Sequence, residues 1–232
     1  MKAALLLSGG TGTRIHASIP KQYLELGGKM IVTRSLEALL SSSEVEGAWI
    51  VAEESWRDKI LSDAESAGLP TGKLKGFAKP GRSRQESILN GLEEILLGAD
   101  RKESSVLIHD AARPFLSGKL IADCYAALEG HDGVMPALPM KDTVYLSSDG
   151  LRIEKLLERS ALYAGQAPEL FRLEPYHEAN IRLLPKRILT INGASEPAVL
   201  AGMDIAIIPG EESNYKITTD ADLARAGEVF LR

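Results

Sequence analysis

Four short clusters in this 232-residue chain carry residue types suited to holding phosphate. The first is Leu7-Ser8-Gly9-Gly10-Thr11-Gly12-Thr13-Arg14. Glycine backbone lets N–H groups approach an anion without a Cβ in the way. A helix or turn opening behind the loop adds a favourable dipole. The run lacks the third glycine of Gly-x-Gly-x-x-Gly, since Ile15 follows Arg14, and the Gly-Lys-Ser/Thr ending of a P-loop. By itself it therefore reads equally as a phosphate cradle or a plain tight turn. Arg14 and the Lys21 of Pro20-Lys21-Gln22-Tyr23-Leu24 bracket the glycines. A planar fork and a mobile point charge on either side of such a loop suit a triphosphate. Pro20 fixes φ and stiffens the chain just before Lys21.

The second cluster, Lys79-Pro80-Gly81-Arg82-Ser83-Arg84-Gln85-Glu86-Ser87, opens a helix. Gly81, Arg84 and Ser87 are placed to line one side of a nucleotide, or simply to start the helix with exposed arginines. The third, His109-Asp110-Ala111-Ala112-Arg113-Pro114, follows an apolar strand. Ligands of open α/β sheets bind beyond the carboxyl ends of strands. Asp110 is therefore a candidate to meet a nucleotide-borne Mg²⁺ or another divalent cation, directly or through water, and Arg113 a candidate for a substrate phosphate. His109, at the end of a buried strand, reads as a packed, hydrogen-bonded residue rather than a base. No other histidine stands at metal-ligand spacing, which argues against zinc. The fourth cluster, Asn214-Tyr215-Lys216-Ile217-Thr218-Thr219-Asp220, sets Lys216 before a helix whose N-cap is Thr219 or Asp220.

The elements that must position these clusters alternate. Strand-like apolar runs fall at Ala3–Leu7, Ala48–Ala52, Ser105–Ile108, Gly133–Ala137, Ile188–Ile191 and Asp204–Ile208. Helical periodicity covers Ile31–Leu40, Trp56–Ala67, Arg84–Leu97, Lys119–Leu128 and Thr219–Leu231. This alternation predicts an α/β fold, a mostly parallel sheet with helices on both faces. With no repeat or long linker, residues 1–232 read as one domain. Residues 140–165 break the pattern and predict a β-arm around Ser147-Ser148-Asp149-Gly150, a surface feature or a reach to a second subunit. The net charge of −5 argues against a broad nucleic-acid-binding face. It leaves room for a small anionic substrate in a locally cationic pocket. The only cysteine, Cys124, sits in an apolar run and reads as a buried structural thiol, compatible with a reducing cytoplasmic location. The apolar N-terminal run is too short to span a membrane.

Taken in order, Gly10-Thr11-Gly12-Thr13-Arg14, Pro20-Lys21-Gln22-Tyr23-Leu24, Gly81-x-x-Arg84-x-x-Ser87, His109-Asp110-Ala111-Ala112-Arg113-Pro114, Asp142-Thr143 and Lys216-Ile217-Thr218 resemble the 2-C-methyl-D-erythritol 4-phosphate cytidylyltransferase family. The close relative is ribitol-5-phosphate cytidylyltransferase. The resemblance covers nearly the whole chain. It implies a Rossmann-like nucleotidyltransferase fold, a homodimer with exchanged arms, and CTP and a polyol phosphate as substrates. It also implies roles. Ser8, Gly9, Gly10, Thr11, Gly12, Gly81, Arg84, Ser87 and Asp110 would hold the nucleotide. Arg14 and Lys21 would sit on its phosphates. Asp110, Arg113, Thr143, Arg159, Asn192 and Lys216 would bind the polyol phosphate, with Thr143 and Arg159 lent by the partner's arm. Arg14, Lys21, Arg159 and Lys216 would be catalytic.

The chain departs from the family pattern in three places. Glu158 precedes Arg159 where the family has aspartate. Gly165-Gln166-Ala167-Pro168-Glu169 replaces a Thr-Gln-Thr-Pro-Gln-like run. Asn192-Gly193-Ala194-Ser195-Glu196 stands where a Thr-Asp-Glu/Asp-Ala motif is expected, so that Asn192 takes the place of a substrate-contacting threonine. The last departure bears on which polyol is accepted. Methylerythritol phosphate is favoured, while the doubled Gly9-Gly10 leans toward ribitol phosphate. Two other readings have weaker support. A nicotinamide-dependent dehydrogenase would need the missing glycine and an acidic residue ~20 residues on. A non-catalytic sugar-nucleotide-binding paralogue rests on the altered 192–196 region alone.

Overall fold

The computed structural model describes residues 1–10 and 15–230. In chain order the strands are β1 (Lys2–Leu7), β2 (Glu25–Leu26), β3 (Lys29–Met30), β4 (Gly47–Val51), β5 (Leu74–Ala78), β6 (Ser105–Asp110), β7 (Gly133–Pro139), β8 (Tyr145–Leu146), β9 (Lys155–Leu156), β10 (Tyr163–Gly165), β11 (Glu169–Arg172) and β12 (Ile205–Pro209). The helices are α1 (Ile31–Ser41), α2 (Glu54–Ser66), α3 (Arg84–Leu96), α4 (Gly118–Ala126), α5 (Leu173–Ile181), α6 (Glu196–Leu200) and α7 (Asp220–Phe230).

Eight strands form one mixed sheet in the order β10-β7-β11-β6-β1-β4-β5, with β12 added alongside β7. The β6-β1-β4-β5 half is parallel throughout, and β11 runs antiparallel between β6 and β7. Period-two alternation decides which side chains face which helices. Ala4, Leu6, Ala48, Ile50 and Leu107 pack under α1, α2 and α4. Ala3, Leu5, Trp49, Val51, Val106 and Ile108 pack under α3, α5 and α6. Both faces are buried, which is why these strands read as unbroken apolar runs rather than alternating ones. Gly91 of α3 is there for contact, since a Cβ at that position would meet the Leu5 methyls at 2.5 Å.

The structure corrects one predicted strand. Ile188–Ile191 is not a strand. Arg187–Leu189 forms a 3₁₀ turn whose buried Ile188 packs with Leu89 of α3, Leu183 and Ile191. A lone apolar run of this length cannot distinguish a strand from a turn that buries two anchors. Several elements were not predicted, β5, β11 and α5 chief among them. β5 is short and carries Gly76, β11 follows a Pro-containing loop, and α5 has a weak apolar stripe. The arm at 140–165 is present, with β8 and β9 paired antiparallel. Its turn closes through Asp149 Oδ1, which accepts from the N–H groups of Leu151 and Arg152, and through Gly150 at φ +71°. Cys124 is buried against the sheet, and burial pushes its thiol up to about 12.

Candidate active site

The glycine loop leaves β1 beside the end of β4, where Ser8 N–H donates to Val51 O at 2.9 Å. The next turn fixes its path. Gln22 Nε2 donates to the carbonyls of Ser8 at 2.7 Å and Gly10 at 2.6 Å, and the Tyr23 hydroxyl donates to Ser8 O at 2.9 Å. Tyr23 is itself stacked on Trp56, with ring centroids 4.0 Å apart. Gln22 and Tyr23 thus orient the loop, a role the sequence reading missed; the signal was a buried-type amide and aromatic directly after Lys21. Gly9 has no room for a side chain, as a Cβ would stand 2.7 Å from Pro80 Cβ.

That contact brings in the second cluster. Ser83 caps α3 by accepting from Glu86 N–H at 3.1 Å. Ser87 Oγ donates to Ser83 O at 2.8 Å and accepts from Gly81 N–H at 2.9 Å. The Ser87 hydroxyl therefore shapes the turn. Gly81 is required sterically, because a Cβ would lie 2.7 Å from the Glu86 backbone.

The third and fourth clusters meet at Asp110, at the C-terminal end of β6. Asp110 Oδ1 accepts from Arg84 Nη2 at 3.1 Å, and Oδ2 accepts from Lys216 Nζ at 2.9 Å. Arg113 Nε lies 3.7 Å from Oδ2. Burial alone would raise the Asp110 carboxyl. Arg84, Lys216 and Arg113 override it and hold the group well below the ordinary carboxylate range. Lys216 arrives on the segment before α7, which Ile217 N–H ties to Ala112 O at 2.8 Å. Arg113 is oriented by donating from Nη1 to Asn214 O at 2.6 Å. Thr219 is the cap of α7, accepting from Asp222 N–H at 3.2 Å.

These elements enclose a pocket of about 430 Å³ lined by Gly9, Gly10, Lys21, Gly81, Arg84, Ser87, Asp110 and Lys216, among others. Ser8 lies just beneath, its hydroxyl buried and without a hydrogen-bond partner among the described residues. Thr11, Gly12 and Arg14 lie outside the described residues. Thr143 and Arg159 do not line this pocket. Both are exposed on the arm, with Arg159 Nη1 donating to Lys141 O at 2.9 Å. Asn192 does not line it either. It is exposed, its N–H donating to Glu196 Oε2 at 3.0 Å and its Nδ2 to Thr190 O at 3.3 Å.

No group of three or more potential metal-ligating side chains occurs among the described residues. Asp110 is a single carboxylate with both oxygens already accepting from cations. That donor set does not make a protein-held ion site. It fits a Mg²⁺ carried by nucleotide phosphates and met through water, the mode in which this ion keeps most of its hydration.

His109 is fully buried, with Nε2 3.0 Å from Arg113 O and Nδ1 without a partner. It packs under the site instead of facing the pocket. Burial pulls its pKa down to about 4. Because the folded value lies below the unfolded one, stability is full above about pH 6.5 and is lost as pH falls from there towards 4. The total is about 3 kcal/mol for this group. Thermal unfolding of wild type should show this early acid loss, and His109→Asn should flatten it. Parallel curves for the two proteins would exclude His109 as the cause.

Comparison with known proteins came to one family. The model of the 2-C-methyl-D-erythritol 4-phosphate cytidylyltransferase family matches residues 3–232. A 2-C-methyl-D-erythritol 4-phosphate cytidylyltransferase from Rubrobacter xylanophilus is 38% identical over 231 residues, covering 98% of this chain and 94% of the relative. A bifunctional enzyme IspD/IspF from Maricaulis maris is 35% identical over 234 residues, and here the chain spans 57% of the relative's length. Among solved structures, 4-diphosphocytidyl-2C-methyl-D-erythritol synthase from Anaerococcus prevotii superposes with a TM-score of 0.83 at 24% identity, covering 100% of this chain and 96% of the other. At that identity the likeness is one of fold.

Proposed function

Because this chain belongs to the 2-C-methyl-D-erythritol 4-phosphate cytidylyltransferase family, we propose that its pocket transfers a cytidylyl group from CTP to 2-C-methyl-D-erythritol 4-phosphate, releasing pyrophosphate. The observation that carries the site assignment is the convergence of Lys21, Arg84 and Lys216, from three separate segments, on one pocket floored by glycine backbone.

The acceptor is a phosphate monoester, already anionic at neutral pH. One of its oxygens attacks the α-phosphorus in line and forms the new P–O bond as the bond to pyrophosphate breaks. An anionic nucleophile needs no strong general base, so a buried His109 is no obstacle. What the chain supplies is position and charge neutralisation. Gly9, Gly10 and Gly81 bring backbone close to the triphosphate, and Arg14 and Lys21 offset charge on the α-phosphoryl and leaving groups. Lys216, Arg113 and a partner's arm carrying Thr143 and Arg159 hold the acceptor phosphate. Asp110 orients Arg84 and Lys216 and is the residue that would hold a divalent cation carried by the phosphates, which would supply charge neutralisation there.

Support for pairing through the arm comes from Tyr145, Leu146 and Leu156, apolar side chains left exposed on β8 and β9. Among the described residues, no helix is long and apolar enough to cross a membrane, and a cytoplasmic setting accords with the unpaired Cys124. The doubled glycine does not favour ribitol phosphate, since Gly9 answers to Pro80 rather than to the acceptor. The relatives' names likewise favour methylerythritol phosphate.

The test is pyrophosphate release from CTP and Mg²⁺ with methylerythritol 4-phosphate and ribitol 5-phosphate in separate reactions. Turnover with the first is expected. Turnover with ribitol phosphate alone would replace the acceptor, and release with neither would overturn the assignment. A chelator should stop release while leaving the unfolding temperature unchanged, because in this reading the ion arrives on the nucleotide phosphates.

A further inference from the structure

Glu169 opens β11, opposite Ile108 of β6 and so within two residues of Asp110 in the neighbouring strand. It is 7% exposed. Its Oε1 lies 3.9 Å from the same Arg84 Nη2 that donates to Asp110. The Arg84 guanidinium is thus held through Nη2 between two carboxylates from adjacent strands, while its buried Nη1 has no hydrogen-bond partner among the described residues. On its other side the Glu169 carboxylate faces Ser195, whose hydroxyl and backbone N–H offset part of the rise that burial imposes on its pKa. Ser195 belongs to the segment that joins the 3₁₀ turn to α6. Two further bonds pin that segment to the same region. The Tyr176 hydroxyl donates to Ala194 O at 2.7 Å, and Ser83 Oγ donates to Ile188 O at 3.0 Å. Gln85, next to Arg84, completes the chain by donating from Nε2 to the Tyr176 hydroxyl at 3.1 Å.

We infer that Glu169 is a positioning residue: backed by Ser195, it sets the Arg84 fork against Asp110. A planar guanidinium between two fixed acceptors has little freedom to rotate. Removing one of the two carboxylates frees the fork. Glu169 does not line the pocket; it acts through Arg84. The inference rests on the cytidylyl-transfer reading for its kinetic readout.

The experiment is steady-state kinetics on Glu169→Ala, Glu169→Gln and Ser195→Ala, with CTP and methylerythritol 4-phosphate varied separately and folding followed by circular dichroism. Glu169→Ala should lower kcat/KM for CTP by about 10-fold, the size of a partly buried ion-pair contact. Glu169→Gln keeps a carbonyl dipole facing Arg84 and should return to within about threefold of wild type. Ser195→Ala, which removes the hydroxyl behind Glu169, should lower kcat/KM for CTP in the same direction by about threefold. Glu169→Ala with wild-type constants, or Glu169→Gln as impaired as Glu169→Ala, would overturn the inference. If Glu169→Ala does not fold, Ser195→Ala decides, with an unchanged kcat/KM for CTP overturning it. An inactive wild type would instead count against the reaction and not against Glu169.

Discussion

Asp110→Ala should both unfold more easily and cease to turn over. The carboxylate is the common counter-charge for Arg84 and Lys216, at 3.1 and 2.9 Å, with Arg113 at 3.7 Å. Removing it leaves three cations facing one another with only Glu169 nearby. Breaking a buried pair by deleting one partner costs about 3–5 kcal/mol. The low end, about 3 kcal/mol, applies here because the Arg84 and Lys216 side chains keep 26% and 34% of their surface in the pocket's water. Denaturant titration should give that loss, with Asp110→Asn intermediate because it restores hydrogen-bond acceptance without the charge. The depressed carboxyl also has a pH signature. Its folded pKa lies below the unfolded value of about 3.9, so its contribution is complete above that value and is lost as pH falls through the folded one. Wild type should therefore lose stability more steeply below about pH 4 than Asp110→Asn does. If both variants were as stable and as active as wild type, Asp110 would not be the organising charge of this site.

Lys21→Ala should give the opposite combination, a protein that folds normally and turns over at least ~10²-fold more slowly. The 3₁₀ turn carrying Lys21 owes its geometry to its neighbours. Pro20 fixes the entry at φ −57°, while Gln22 and Tyr23 are buried and hydrogen-bonded to the glycine loop. The Lys21 side chain lines the pocket while the rest of the turn packs inward. In the proposed reaction its removal takes away phosphate neutralisation, while Pro20, Gln22 and Tyr23 still hold the turn, so the loss of stability should stay well below that of Asp110→Ala. Loss falling on kcat would place Lys21 on charge that develops in the transition state. Loss confined to KM for CTP would make it a ground-state contact. Full activity would remove it from the site.

Several parts of this protein were legible before any coordinate. Buried parallel strands announce themselves by apolar runs such as Ala3–Leu7 and Ala48–Ala52, because both faces must be apolar. Helices α1 to α4 show the period that one buried face imposes. The cation and glycine clusters were legible because local rules demand those residue types: a close approach at Gly9 and Gly81, and a cap at Ser83 and Thr219. Elements whose stability is not local were missed or misread. Strand β11 is held by pairing with β6 and β7 on either side, not by a pattern of its own. Ile188 is buried by Leu89, Leu183 and Ile191 around a turn rather than by a sheet.

The sequence by itself therefore determined the class of fold, the family, and which cations were available to hold phosphate. Only the tertiary structure decided that Asp110 is shared by Arg84, Arg113 and Lys216, and that Glu169 stands behind Arg84. The physical reason is separation along the chain. Arg84, Asp110, Glu169 and Lys216 come from a helix start, two strand ends and a loop. Distances of 3 to 4 Å among them follow from strand order and register, which are settled by the packing of the whole sheet and not by any local run of residues.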